Sequence, residues 1–195
     1  IQDPSDPHSA ITSLVVVENC HAHTFSRPIT PAYMRKLHAA LEPHGIPIHV
    51  DGARLFNAAV ALGVPVHDLV ADADSATFCL SKGLAAPIGS VVVGDRDFIW
   101  RARRARKMLG GGMRQAGVLA AAGLVALEEG PERLHIDHEN ARFLANRLAA
   151  MRGIDLDVSK VQTNIVIFSV KPSGLSSAEF LQKVSAQGVL AVPVD

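Results

Sequence analysis

Two charged side chains stand out because each one follows a short apolar stretch of the chain. Asp51 comes directly after His49-Val50, and Lys82 comes soon after Phe78-Cys79-Leu80. They are 31 positions apart, which is about the length of one strand–helix–strand unit. Since a right-handed crossover returns the chain in its original direction, we expect both side chains at the carboxyl edge of a parallel sheet. Open α/β sheets bind their ligands at that edge.

A carboxylate and a primary amine at one sheet edge suit the chemistry of pyridoxal phosphate. The amine bonds covalently to the aldehyde of this cofactor. The carboxylate holds a proton on the pyridine nitrogen, so that the ring withdraws electrons from the substrate. An unrelated surface aspartate and surface lysine that both follow strands would show the same spacing, and spacing alone favours that simpler interpretation.

The sequence around both residues is more specific than their spacing. Five segments carry a family resemblance, and they are Glu18–His21, His49–Ala58, Phe78–Gly83, Pro87–Ser90 and Arg106–Gln115. Together they resemble the L-threonine aldolase family, in the β-eliminating lyase branch of the fold-type-I pyridoxal phosphate enzymes. The similarity is dense from about residue 14 to residue 128 and looser beyond.

The resemblance implies a role for each matching residue. Lys82 would be catalytic and would hold the cofactor, Asp51 would pair with the pyridine nitrogen, and Arg54 would lie near the cofactor and the substrate carboxylate. His21 would be a second catalytic residue that contacts substrate or cofactor; a histidine hydrogen-bonded within a loop is the alternative. Ser81 would help to orient the phosphate or the ring, although a turn-forming serine explains it equally well.

Two cations further along the chain also match family positions that approach the active site. Lys107 would bind substrate, and Arg114 would bind the cofactor phosphate, from a neighbouring subunit in some relatives. The residues themselves support the second assignment. We expect Gly110–Gly112 to open a helix with free backbone N–H groups, and a cation just inside that helix would complete a phosphate site.

One loop departs from the family pattern. Glu-Asn-Thr-His-Asn of the family is Glu-Asn-Cys-His-Ala here, with Cys20 in place of threonine and Ala22 in place of asparagine. The glycines that usually follow are replaced by the residues of 23–27, His-Thr-Phe-Ser-Arg. Since this loop borders the active site in relatives, the resemblance leaves substrate handling open here.

The hydrophobic pattern predicts elements that alternate along the chain. Short β-branched stretches predict strands at 14–18, 47–50, 75–80, 89–93, 164–170 and 189–192. Helical spacing predicts helices at 31–41, 55–62, 95–108, 113–128, 132–151 and 177–187, with a break at Gly130-Pro131. This order is typical of an α/β fold with a mostly parallel sheet and helices on both faces.

The resemblance makes this the fold-type-I large domain, at residues 1–130, followed at 131–195 by the start of a small α+β domain. We expect the chain to be a fragment, because it begins at Ile1 without methionine and stops at Val194-Asp195 beside an apolar stretch. In relatives, a phosphate-binding loop and a histidine that stacks on the pyridine ring come before the position of Ile1, and a carboxylate-binding arginine comes after the position of Asp195.

Composition excludes several classes of protein. The 195 residues are 48% hydrophobic and 19% charged, which supplies a real core and excludes wholesale disorder. Nineteen basic residues balance nineteen acidic ones, which argues against a general polyanion-binding protein. The basic run at 101–107 then indicates a solvated helix face or a subunit interface, so we expect no nucleic-acid partner.

The remaining patterns concern location and metals. The apolar runs are shorter than a membrane span requires, and we expect no membrane partner. Two cysteines, Cys20 and Cys79, make no disulfide framework, and no export or transit segment is recognised, so we expect a cytoplasmic protein. The paired histidines at 21 and 23, and at 135 and 138, have no convincing third ligand, so we expect no metal.

The expected function is pyridoxal phosphate-dependent retro-aldol cleavage of L-threonine and L-allo-threonine to glycine and an aldehyde. Such a lyase would serve glycine biosynthesis and threonine catabolism, and the resemblance implies a homo-oligomer, a dimer or a homotetramer. Two alternatives stay open. One is another fold-type-I lyase or an aminotransferase, and the other is a truncated, catalytically silent relative.

Overall fold

The computed structural model describes residues 5–194, which form one sheet and five α-helices. The strands are β1 (Val15–Glu18), β2 (Ile48–Asp51), β3 (Ser75–Cys79) and β4 (Ser90–Gly94). The helices are α1 (Pro31–Leu41), α2 (Leu55–Leu62), α3 (Arg96–Met108), α4 (Gly117–Ala149) and α5 (Ser177–Ser185). Ile1 and Asp195, on which the expectation of a fragment rests, lie outside the described residues.

The chain divides into two compact units. The first contains residues up to Cys20 and residues Pro28–Leu134, and the second contains His21–Arg27 together with the chain from His135 onward. The seven residues His21–Arg27 therefore leave the first unit, and the chain returns to it at Pro28. The domain boundary that the sequence predicts between residues 130 and 131 stays a prediction.

The sheet has the order β1-β2-β3-β4. The first three strands are parallel, with Glu18 opposite Asp51 and Asp51 opposite Thr77. β4 runs antiparallel to β3, so the mostly parallel sheet ends in an antiparallel edge strand. The reason is the length of the connection, because ten residues lie between β3 and β4 and a parallel return needs a dozen or more.

One face of the sheet carries the core of the first unit. Side chains alternate between the two faces of a strand, and the core face presents Ile48, Val50 and Ala76 to helices α1 and α2. The α/β fold class is confirmed. Within the first unit, two buried clusters lie on this face. The opposite face carries polar side chains together with Val16, which is 58% exposed, and Val92, which is 42% exposed. An added Cβ atom at Gly94, which pairs with Ser75, would lie 2.6 Å from Phe98 Cδ1, so α3 contacts the edge strand on that opposite face.

Local capping explains why the helices begin where the sequence predicts. The Thr30 side chain accepts a hydrogen bond from the Tyr33 amide (3.2 Å) ahead of α1, whose first residue is Pro31. Asp95 accepts one from the Phe98 amide (2.7 Å) ahead of α3. Helices α1 and α2 span the predicted residues, and α3 starts one residue later because Asp95 is its N-cap.

Helix α4 corrects a sequence prediction. Gly130-Pro131 was expected to separate two helices, but α4 runs unbroken for 33 residues with Pro131 inside it. Leu134 beyond the proline and Ala126 before it both pack in the cluster that contains Leu84. Burial on both sides of the proline therefore outweighs the lost backbone hydrogen bond. No helix within residues 5–194 is long and apolar enough to cross a membrane.

The second unit has less regular structure than the sequence predicts. Residues 164–170 and 189–192 form no strand; the nearest feature is a single antiparallel bridge between Asp155 and Ser169. In the segment 189–192, two of the apolar side chains are largely exposed, with Leu190 at 89% and Val192 at 81%. An isolated strand needs a neighbour for its backbone hydrogen bonds. Within the described residues, the first segment has such a neighbour only at Ser169, and the second pairs with no strand. Helix α5 was correctly predicted, although it ends at Ser185 instead of residue 187.

Candidate active site

The carboxyl ends of β1, β2 and β3 meet at one edge of the sheet. Residues beyond the strand ends continue the pairing, because the Asn19 amide donates to the Asp51 carbonyl (2.8 Å) and the Gly52 amide donates to the Thr77 carbonyl (2.8 Å). Lys82 follows the end of β3 by three residues. The structure thus places Asp51 and Lys82 at the same edge, as their spacing predicts.

Asp51 lies half-buried on the face of the sheet opposite to buried Val50, ahead of the tight turn into α2. Its Oδ1 atom accepts a long hydrogen bond from the Ala53 amide (3.3 Å). Gly52 has no room for a side chain, since a Cβ atom there would lie 2.7 Å from the Thr77 carbonyl oxygen. This close packing fixes the turn after Asp51 and sets half-buried Arg54 immediately before the first residue of α2.

Lys82 stands exposed on a loop whose backbone is fixed by hydrogen bonds. The Leu80 amide donates to the Gly89 carbonyl (2.9 Å), and the Ala86 amide donates back to the Leu80 carbonyl (3.0 Å). Ser81, also exposed, places its hydroxyl 3.5 Å from the same Gly89 carbonyl. These hydrogen bonds fix the backbone of the loop, and the Lys82 side chain stays accessible.

Buried side chains hold this loop from below. Leu84 (4% exposed) packs in a cluster with Leu134 of α4. At Gly83 an added Cβ atom would lie 2.8 Å from the Asn57 Oδ1 atom and 2.8 Å from Leu134 Cδ2. The glycine next to Lys82 therefore lets α2 and α4 approach the loop, and the loop backbone depends on that packing.

The glycine segment near Arg114 differs from the prediction. The Gly110 amide donates to the Lys107 carbonyl (3.2 Å) and the Gly111 amide donates to the Arg106 carbonyl (2.8 Å), so both amides close the end of α3. Helix α4 begins at Gly117, five residues after the last of the three glycines. The prediction that this segment opens a helix with free N–H groups was wrong, because the carbonyls of the preceding helix are nearer partners.

Lys107 and Arg114 are both exposed. Within residues 5–194, no hydrogen bond or ion pair joins either of them to Asp51 or Lys82. Their assignment to substrate and phosphate stays a prediction, and it now rests on the resemblance and on their charge.

His21 belongs to the second unit, in the loop that leaves β1. Its ring is half-buried and lies 5.9 Å, centroid to centroid, from that of His23. Its carbonyl accepts hydrogen bonds from the amides of Thr24 (3.2 Å) and Ser26 (3.0 Å), so the loop folds back on this residue. The catalytic role of His21 stays a prediction.

Two polar features near the edge were missed from the sequence. His49 places its Nδ1 atom 2.8 Å from the Ser75 hydroxyl, on the same face as Asp51 and two residues before it. Asn19 belongs to the Glu18–His21 motif, which predicts no role for it, yet its side chain is fully buried. The signal available for the His49 contact was that His49 and Asp51 lie two residues apart in β2 and so share a face. No local pattern reveals that the Asn19 side chain is buried.

The fold and these placements define an α/β protein whose candidate ligand site lies at the carboxyl edge of the parallel strands. A sequence model of the beta-eliminating lyase family matches residues 1–171. The chain belongs to the beta-eliminating lyase family.

Two relatives show the extent of the similarity. Low-specificity L-threonine aldolase 1 of Arabidopsis thaliana is 48% identical over 182 residues, which cover 93% of this chain and 51% of that protein. Low specificity L-threonine aldolase of Escherichia coli (strain K12) is 44% identical over 167 residues, 86% of this chain and 48% of that protein. The chain thus spans about half the length of the curated relatives it matches.

Solved structures agree on the fold. A candidate L-allo-threonine aldolase from Listeria monocytogenes EGD-E superimposes with a TM-score of 0.72 at 22% identity, over 80% of this chain and 43% of that one. A pyridoxal phosphate-dependent aminotransferase from Streptococcus suis 89-1591 gives a TM-score of 0.70 at 19% identity, over 93% of this chain and 48% of that one.

Proposed function

We propose that the protein is a pyridoxal phosphate-dependent lyase that cleaves β-hydroxy-α-amino acids, such as L-threonine and L-allo-threonine, to glycine and an aldehyde. The observation that carries the proposal is the parallel register of β1, β2 and β3, which sets the Asp51 carboxylate and the Lys82 loop at one edge. Relatives at 48% and 44% identity are named as low-specificity L-threonine aldolases. Fold alone would not choose this reaction, because one fold serves many chemistries.

The residues present fit the cofactor by the chemistry of their donor groups. Lys82 offers an accessible primary amine for the aldehyde, and Asp51 accepts one long hydrogen bond, which leaves most of its acceptor capacity for a ring N–H. Arg54, Ser81 and Arg114 are the candidates for the phosphate. When bound, pyridoxal phosphate withdraws electrons from the bonds at the substrate Cα.

The chain's own residues would bind the substrate and hold or transfer protons, through their charge and position. Asp51, as an anion, favours a proton on the pyridine nitrogen, because an ion pair at a partly desolvated edge is stronger than in water. Arg54 and Lys107 would bind the substrate carboxylate as cations. Lys82, held by the hydrogen-bonded base of its loop, is the group that accepts or returns a proton near Cα. His21 is the candidate for the proton of the β-hydroxyl group.

We extend the proposal to assembly and location. A set of exposed apolar side chains begins at the last residue of α3 and continues into α4, and each is at least 60% exposed: Met108, Leu109, Met113, Val118 and Leu124. An apolar set of this kind favours burial against a second copy of the chain, as a dimer or tetramer. Light scattering at micromolar concentration tests this, and a monomer would contradict it. The setting proposed for the enzyme is cytoplasmic, with roles in glycine formation and threonine breakdown.

The experiment that tests the function follows cofactor and product together. The full chain is supplied with pyridoxal phosphate, and the visible absorbance of the bound cofactor is recorded for the unaltered protein, Lys82→Ala and Lys171→Ala. Lys171 is an exposed lysine of the second unit, so its variant controls for loss of any surface amine. We expect the absorbance to disappear in Lys82→Ala alone.

Product analysis then identifies the reaction. Release of acetaldehyde from L-threonine supports the aldolase. Release of pyruvate or ammonia instead would indicate another lyase or an aminotransferase of the same fold. A folded protein that binds no cofactor would overturn the proposal and support the silent relative.

A further inference from the structure

The loop of residues 20–28, which follows β1 and carries His21, is held closed at its base by one side chain. Asn19 is fully buried, its Nδ2 atom donates to the Ile29 carbonyl (3.1 Å), and its Oδ1 atom accepts from the Ile29 amide (3.0 Å). The Asn19 backbone amide donates to the Asp51 carbonyl (2.8 Å). One residue therefore ties both ends of the loop together and fastens them to the strand that carries Asp51.

The far side of the loop adopts a backbone conformation that side chains disfavour. Phe25 and Ser26 have φ angles of 63° and 50°, in the left-handed region. Glycine enters this region freely, whereas other residues are strained there and need support from their surroundings. The family resemblance has glycines in this stretch, and this chain has none between residues 20 and 28.

Other residues of the second unit, to which Phe25 and Ser26 belong, supply the support. The Thr163 hydroxyl donates to the Ser26 carbonyl at 2.8 Å, and both residues are fully buried. The Lys160 Nζ atom lies 5.2 Å from the centre of the Phe25 ring, within the range of a cation–π contact. Among the residues described, the Ser26 hydroxyl itself has no hydrogen-bond partner, so the Ser26 backbone is what holds the loop.

This support reaches His21 through the main chain. The Ser26 amide donates to the His21 carbonyl at 3.0 Å, and the Ser26 carbonyl accepts from Thr163. A shift of Ser26 would therefore move His21. Thr163 lies 137 positions away in the sequence, which makes the tie a product of folding rather than of the local sequence.

We propose that Thr163 and Asn19 are positioning residues, which fix loop 20–28 at its far side and its base and so set the place of His21. The effect of these residues on substrate binding rests on the proposed function, whereas their effect on the loop does not.

Hydrogen exchange tests the loop directly. Thr163→Val removes the hydroxyl and keeps the shape, Thr163→Ser restores the hydroxyl, and Ser159→Ala removes an exposed hydroxyl that bonds Asp157 (2.6 Å) in the same unit. Backbone exchange of a peptide covering residues 20–28 is followed by mass spectrometry. We expect about tenfold faster exchange in Thr163→Val, from one lost buried hydrogen bond, and near-normal exchange in the other two variants.

Cleavage gives an independent readout of the same loop. Chymotrypsin cuts after Phe25, which is half-buried, and the cut should be faster in Thr163→Val than in Thr163→Ser. Asn19→Asp, which loses the donor to the Ile29 carbonyl at nearly unchanged size, should also loosen the loop. Unchanged exchange and unchanged cleavage in Thr163→Val, in a protein that stays folded, would overturn the proposal.

Kinetics separates the inference from the proposed function. In an active enzyme, Thr163→Val should raise KM for the β-hydroxy amino acid more than it lowers kcat, while the absorbance of bound cofactor stays unchanged. Should the protein bind no pyridoxal phosphate, the proposed function fails and the exchange result still decides the role of Thr163. A loosened loop with unchanged KM would confine the role of Thr163 to stability and contradict positioning for the reaction.

Discussion

Gly52 is the position at which a single added carbon should both destabilise the first unit and disturb the candidate site. A Cβ atom there would lie 2.7 Å from the Thr77 carbonyl oxygen and 2.9 Å from Leu55 Cβ. Both neighbours are fixed, because one is the backbone of β3 and the other begins α2. The turn that carries Asp51 would have to move as a whole.

The structure allows the size of the effect to be worked out. Overpacking of a closed site costs about 1–3 kcal/mol. The forced movement also lengthens the Gly52–Thr77 hydrogen bond, now 2.8 Å, and a backbone hydrogen bond contributes about 0.5–1.5 kcal/mol. We expect Gly52→Ala to lower the free energy of unfolding by about 2–4 kcal/mol and the thermal midpoint by about 5–15 °C for a chain of this size.

The assay pairs this variant with a glycine in open space. Gly117 at the start of α4 has nothing within 4 Å of an added Cβ atom, so Gly117→Ala should leave the midpoint unchanged or raise it slightly. Thermal unfolding by circular dichroism is measured for both, together with the absorbance of bound pyridoxal phosphate. A Gly52→Ala protein with an unchanged midpoint and unchanged cofactor absorbance would refute the role assigned to the turn.

Four further predictions concern stability, each followed by thermal or urea unfolding. Leu134→Ala, at a side chain only 1% exposed, should lower the free energy of unfolding by about 3–5 kcal/mol. Leu190→Ala, at a side chain 89% exposed, should lower it by less than about 0.5 kcal/mol. Equal losses in the two variants would contradict the assignment of Leu134 to the core. Pro131→Ala should raise the midpoint, since it returns a backbone donor to α4; a lower midpoint would mean that the proline is needed there. Ser176→Ala breaks the capping box of α5 and should cost about 1 kcal/mol, an effect absent if α5 frays in the unaltered protein. Burial lowers the pKa of His138 below its ordinary value; the nearby Asp137 charge opposes this shift, and Arg142 and His135 reinforce it. As the pH falls, His138 therefore takes up its proton in the unfolded chain before it does so in the folded protein, so stability should fall as the pH drops below about 6.5. The His138→Gln variant should show a shallower fall.

Local pattern was enough for most of the first unit. Thr30 before Pro31 sets the start of α1, the apolar runs that end at Asp51 and Cys79 set β2 and β3, and the interval between Asp51 and Lys82 fits one parallel crossover. These features depend on neighbours within a few residues or on one connection length, so the sequence predicts them. The α/β class and the shared edge of Asp51 and Lys82 follow from the same information.

Features that depend on distant packing were not predictable in this way. Pro131 stays inside α4 because Ala126 and Leu134 are buried on either side of it. The glycine amides near Lys107 are a different case, because their partners are the carbonyls of Lys107 and Arg106, three and five residues back at the end of α3. That signal was local, and the prediction assigned the glycines to the start of the next helix instead of the end of the preceding one.

The types and order of the reactive groups, a carboxylate and an amine one crossover apart, are properties of the sequence alone. The place of His21 is not, because it depends on Thr163, which meets Ser26 only after the chain has folded. Two strained residues, Phe25 and Ser26, keep their conformation through a contact made 137 positions away. Long-range contacts of this kind carry no local signature, and so tertiary structure alone determined how this loop is held.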